Sequence, residues 1–116
     1  MSEIIATVLA DAAGAALPAA RPKPTSSTGQ HEADLPVWSA DGTETGIWEV
    51  GPGVFTATRE GYHEVCQILS GRATLVHPDG TAVEIAAGDL LVTPAGWTGT
   101  WHVHETLRKV YVTRTL

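Results

Sequence analysis

Three textures follow one another along the chain. Residues 2–17 place Ile4, Ile5, Val8, Leu9, Ala12, Ala13, Ala16 and Leu17 at helical spacing among many alanines. This pattern predicts a short amphipathic helix whose end is limited by Gly14 and Pro18. Residues 18–34 are polar and carry Pro22, Pro24, Ser26 and Ser27 with little to bury. They predict an extended arm, either mobile or laid along a partner subunit, with the second arrangement favoured. From Val37 short runs of Val, Ile, Thr and aromatic residues alternate with Gly, Pro and Asp-Gly. Strands are expected near 46–50, 54–58, 62–69, 72–77, 81–86, 89–93, 98–103 and 106–114. The clearest hairpin turns at Asp79-Gly80, since that pair suits a tight turn with positive φ. Short strands in series with no helix between them predict an all-β fold, a closed or sandwiched antiparallel barrel. The chain divides accordingly into an N-terminal helix and polar arm, 1–34, and a barrel domain, 35–116.

Size and charge narrow the possibilities. At 116 residues the chain is one domain with room for one core. Thirteen acidic against seven basic residues give a net charge of −6, which argues against nucleic acid or an anionic membrane as partner. The single Cys66 excludes an internal disulfide and a cysteine-based zinc site. No apolar run reaches the roughly 20 residues that span a bilayer, and Glu3 and Asp11 do not suit a signal peptide. A cytoplasmic protein is expected.

Two stretches then resemble the paired signatures of the cupin superfamily. In the first, Gly51, Glu64 and Gly71 keep the spacing, while Ala57 and Arg59 stand at the two histidine positions. In the second, Gly88, Pro94 and Gly96 match, while Gly99 stands for the histidine and Val103 for the asparagine. Gly46-Ile-Trp48-Glu, Cys66-Gln-Ile-Leu-Ser-Gly71-Arg and Trp97-Thr-Gly-Thr-Trp101 look like one short-cupin group. The domain of that group also occurs in (S)-ureidoglycine aminohydrolase and in a cupin of ethanolamine utilisation. The resemblance covers about residues 46–114 and implies a small double-stranded β-helix, the cupin jelly-roll barrel.

It also implies a metal held by three histidines and one glutamate, of which only Glu64 remains here. One carboxylate makes no tight transition-metal site, so no metal cofactor is expected. His102 and His104 have the strand spacing of a metal pair and are the runner-up ligands. Counting alternate residues from Gly99 puts Trp101 and Val103 inward and both histidines outward. The same count puts Glu64, Cys66 and Ile68 inward, and Ala57 and Arg59 inherit interior positions. Arg59 and Glu64 are the expected pair: a buried carboxylate needs a cation, and a guanidinium suits it. That pair is either a structural filling of the metal's place or a ligand site, with Arg59 on a carboxylate and Glu64 on an amine or as proton carrier. Trp48, Trp97, Trp101 and Cys66 complete the candidate lining.

Three functions stay open, in this order. The first is a metal-independent barrel that binds a small carboxylated or nitrogenous metabolite. The second is an enzyme of aminohydrolase or isomerase type, with Glu64 as its catalytic group. The third is a structural or regulatory dimer with a filled pocket, and a homodimer is expected in any case.

Overall fold

The computed structural model describes residues 4–116, which contain eight strands and no helix. β1 (Arg21–Pro22), β2 (His31–Ala40), β3 (Thr43–Val50) and β4 (Gly53–Thr58) come first. The long β5 (Tyr62–Val76), β6 (Ala82–Ala86), β7 (Leu90–Thr93) and the long β8 (Thr98–Thr115) follow. All pairings are antiparallel in the order β1-β2-β3-β8-β5-β6, with β4 on β8 and β7 on β5. The first part of β8 pairs with β4 and the end of β5; its second part pairs with β3 and the start of β5. Two long strands thus bend through both layers, giving the jelly-roll barrel expected from the sequence. Among the described residues no helix is long and apolar enough to cross a membrane.

β5 turns its corner through register shifts between Ile68 and Ala73. Gly71 sits there at φ +86°, and a Cβ would overlap the Thr106 carbonyl, so the bulge requires glycine. Inside, Val50, Phe55, Ile68, Leu75, Trp101, Val103 and Leu107 form the core at one end of the barrel. They support the polar cavity described below.

Several expectations need correction. The segment expected to be helical is not helical over the described residues; residues 2 and 3 lie outside them. Ile4, Ile5 and Val8 are largely exposed among the described residues, and Asp11, at φ 52°, opens a turn closed by Gly14 N–H donating to Asp11 O at 3.0 Å. So short a helix is marginal without a packed face, however many alanines it has. The arm is held along its own barrel. Gln30 Nε2 donates to Gly51 O at 2.8 Å, Val54 N donates to Thr28 Oγ1 at 2.9 Å, and Ser26 bridges Phe55. β2 begins at His31, so regular pairing reaches across the 34/35 boundary. The stretches expected as separate strands at 62–69 and 72–77, and at 98–103 and 106–114, are continuous.

Candidate functional site

Strand alternation aims Glu32 and Asp34 of β2, Glu44 and Trp48 of β3, Glu64 of β5, and Lys109, Tyr111 and Thr113 of β8 into one open cavity of about 300 Å³. Phe55, Ala57, Arg59 and Tyr62 line it too, and the arm contributes Arg21 and Lys23.

At its base lies an ion cluster. Glu64 Oε2 is 2.7 Å from Arg59 Nη2, and its Oε1 is 2.7 Å from Lys109 Nζ. The three side chains are only 7–9% exposed. Arg59 Nε also donates to the buried Thr93 Oγ1 at 3.0 Å. The Lys109 ammonium lies 4.6 Å from the Trp48 ring centre and 5.0 Å from that of Trp101. The carboxylate offsets the desolvation of both cations, and the indole faces replace part of the water an ammonium loses.

A second polar group lies across the cavity. Tyr111 O–H donates to Asp34 Oδ1 at 2.8 Å by passing over Gly46, where a Cβ would fall 2.6 Å from the hydroxyl oxygen. Burial raises the tyrosine's pKa, as do its bond to Asp34 and the nearby charges of Asp34, Glu44 and Glu64. At the mouth, Lys23 Nζ is 3.2 Å from Glu32 Oε1, which also accepts the Trp48 Nε1 hydrogen at 2.9 Å. The lining therefore carries four basic side chains (Arg21, Lys23, Arg59, Lys109) and four acidic ones (Glu32, Asp34, Glu44, Glu64). Asp34 and Glu44 have no basic partner within 4.0 Å among the described residues.

Of the residues singled out from sequence, Arg59, Glu64 and Trp48 meet in this cavity, whereas Cys66, Trp97 and Trp101 do not line it. Trp101 is fully buried beneath, stacked on Phe55 with ring centres 5.4 Å apart. Trp97 stands edge-on to His77 at 5.9 Å. Cys66 is buried, and desolvation raises its thiol pKa above the usual range, with Lys109 the main opposing influence. Lys109, Tyr111, Asp34 and Glu44 were missed. Lys109 and Tyr111 share the alternation of Trp101 and Val103, and that count, carried further along β8, finds both.

His102 and His104 lie on the strand face opposite the buried Trp101 and Val103, and His104 Nε2 is 2.8 Å from Thr74 Oγ1. His63 Nδ1 accepts the Ala95 N–H at 2.8 Å, while His77 sits at its hairpin and His31 in β2. The interior does not fit the metal that the cupin resemblance implies. Both Glu64 oxygens already face cations, and any side chain at Gly99 would meet the Trp97 ring 2.7 Å from its Cβ. No three His, Cys, Asp or Glu side chains among the described residues converge on a common point.

Comparison with known proteins follows the same lines. Residues 39–111 match the family model of the EutQ-like cupin domain. The EutQ protein of Clostridium difficile shares 21% identity at a TM-score of 0.70, over 81% of this chain and 75% of that one. A DUF861-family protein of unknown function from Pseudomonas syringae shares 20% at 0.76, over 87% of this chain but only 45% of its own length. A DUF861-family protein from Thermotoga maritima shares 35% identity, with a TM-score of 0.53, over 56% of this chain and 73% of that one. No curated protein matches the chain.

Proposed function

The chain belongs to the EutQ-like cupin family, and we propose that its barrel binds a small metabolite bearing a carboxylate, an amine or both, without a metal. The observation that carries this is the buried Arg59–Glu64–Lys109 cluster at the base of an open cavity. Glu64 neutralises one of the two cations, so the base keeps an excess positive charge suited to a carboxylate. Arg59 Nη1 and the remaining Lys109 hydrogens are the donors for it. Asp34 and Glu44, opposite, suit an ammonium group. A lining with balanced charges favours a ligand that carries both signs over a simple anion. A cavity of 300 Å³ is at the low end for small-molecule sites, which fits a metabolite of a few carbons.

We prefer binding to catalysis because each Glu64 oxygen is already engaged by a cation. The free thiol of Cys66 suits the reducing cytoplasm, where we place the protein.

The test compares acetate, ethanolamine and β-alanine as acid, amine and dipolar probes by thermal shift and calorimetry. Ethanolamine is included because one structural relative is described as a putative ethanolamine utilization protein from Salmonella typhimurium. At ~10 mM a ligand with a Kd of ~1 mM stabilises by ~1.4 kcal/mol. β-Alanine should give the largest shift, and Arg59→Met should abolish it. No shift with any small acid, amine or amino acid across a metabolite panel would overturn the proposal.

A further inference from the structure

The mouth of the cavity holds an ammonium group in a setting made mostly of aromatic carbon. Both lysines of the chain, Lys23 and Lys109, reach one indole: their Nζ atoms lie 5.4 and 4.6 Å from the centre of the Trp48 ring. The two are held differently. Lys109 is clamped at the base by Glu64 at 2.7 Å. Lys23 comes from the arm, and its Nζ meets Glu32 Oε1 at 3.2 Å, its one polar partner among the described residues. An ammonium carries three hydrogens, so two are left without a polar acceptor from the chain. What Nζ meets instead is the face of Phe55, 4.5 Å from the ring centre.

The receptacle is built from groups that are fixed without Lys23. Trp48 and Phe55 stand at 69° with ring centres 5.8 Å apart, which makes the corner of a cage. The indole is oriented by its Nε1–H, which donates to Glu32 Oε1 at 2.9 Å, and Phe55 stacks on the buried Trp101 beneath. Two angled ring faces with a carboxylate beside them are the setting that recognises quaternary ammonium groups. Lysine's primary ammonium is strongly hydrated and gives up much of that water here. A methylated ammonium has no N–H hydrogens to satisfy, and its methyl groups fit ring faces.

Lys23 can leave this cage without disturbing the fold. Its backbone N–H donates to Gln30 O at 2.9 Å, its carbonyl accepts the Ser26 N–H at 3.1 Å, and Pro22 and Pro24 flank it. These contacts hold the backbone and leave the flexible four-carbon stem to swing into water. There the ammonium regains its hydration, which offsets part of the loss of its pair with Glu32.

We propose that Glu32, Trp48 and Phe55 form a subsite for a quaternary ammonium group, which Lys23 fills in the ligand-free chain and yields to a small methylated amine. This goes beyond the carboxylate and amine positions assigned to Arg59, Lys109, Asp34 and Glu44, and it stands even if those four bind nothing.

Titration of the full chain with tetramethylammonium, followed by the methyl proton resonance, tests this. Ring currents should move the resonance upfield, with a Kd of ~10 mM for the unmodified chain. Methylammonium should bind at least ~3-fold more weakly. Lys23→Ser, which empties the cage, should tighten tetramethylammonium at least ~5-fold, and adding Glu32→Gln to it should reverse that gain. Arg59→Met should leave binding intact. No upfield shift with Lys23→Ser at ~100 mM probe would overturn the subsite. Equal affinity in the unmodified chain and Lys23→Ser would overturn Lys23 as its occupant, and tighter binding of methylammonium would overturn the methylated class. Loss of binding in Arg59→Met would place the cation at the base and contradict the proposal. Acetylation by an activated acetate ester reads the displacement separately, since the chain has only two lysines to label. Saturating tetramethylammonium should speed labelling of Lys23 at least ~2-fold and leave Lys109 unchanged; an unchanged Lys23 rate would overturn the exchange.

Discussion

Neutralising Glu64 leaves its two cations stranded in the barrel. Each contact is 2.7 Å long, and at an effective dielectric constant of ~20 each represents ~6 kcal/mol of attraction. Desolvation of three side chains offsets most of this in the native protein. In Glu64→Gln the attraction is lost while Arg59 and Lys109 remain buried and repel each other. Removing one partner of a buried ion pair typically costs ~3–5 kcal/mol. For a domain of this size that corresponds to a fall in Tm of about 12–20 °C. Urea denaturation of the ligand-free protein measures the difference directly. Lys109→Met alone should cost only ~1 kcal/mol, since the Arg59–Glu64 pair survives. Placed on Glu64→Gln, the same change should recover part of the loss by removing one stranded charge, giving a coupling energy above ~1 kcal/mol. A loss below ~1 kcal/mol in Glu64→Gln, additive with Lys109→Met, would mean that water reaches these charges and that they form no coupled cluster.

Other expectations are more local. Gly46→Ala should destabilise by about 3 kcal/mol in urea, because its Cβ would fall 2.5 Å from Leu35 O and displace the Tyr111 hydroxyl from Asp34; a change under ~0.5 kcal/mol would show that the close packing is dispensable. Cys66, buried and with a raised pKa, should be alkylated by iodoacetamide only as fast as the protein opens, so rapid labelling of the native protein at pH 8 would contradict its placement. Burial also makes Cys66 and Tyr111 hold their protons more tightly in the folded state. Their contribution to stability is therefore complete below the ordinary thiol value of 9.0 and declines as pH rises beyond it, so urea midpoints should fall from about pH 9 upward.

The barrel was legible because its signals are local. Glycines at corners, Asp79-Gly80 at a hairpin and alternating Val, Ile and Thr mark strand and turn without reference to distant residues. β2 escaped notice because its inward positions are Glu32, Asp34 and Pro36, which serve a polar cavity. A strand whose inward positions carry charges reads as a linker. The N-terminal segment misled in the opposite sense: helical spacing describes a face, but a helix persists only where that face is buried, and Ile4, Ile5 and Val8 are largely exposed among the described residues. Arg59 and Glu64 were found through the positions left by absent histidines together with strand parity. Lys109 was missed because lysine is ordinarily read as a surface residue, although its place on β8 follows the same parity as Trp101. Asp34 reaches the site through a tertiary contact with Tyr111, which spacing alone does not reveal.

With two cations seated on Glu64, the occupant we propose for the cavity is an organic ligand and not a metal. Elemental analysis of protein purified without chelators or a metal affinity column tests this most directly, followed by thermal melts with added manganese, nickel and zinc. Metal well below a tenth of an equivalent and no stabilisation by any of the three are expected. Near-stoichiometric metal, with a Tm that falls on its removal, would contradict the account and bring His102 and His104 forward as ligands.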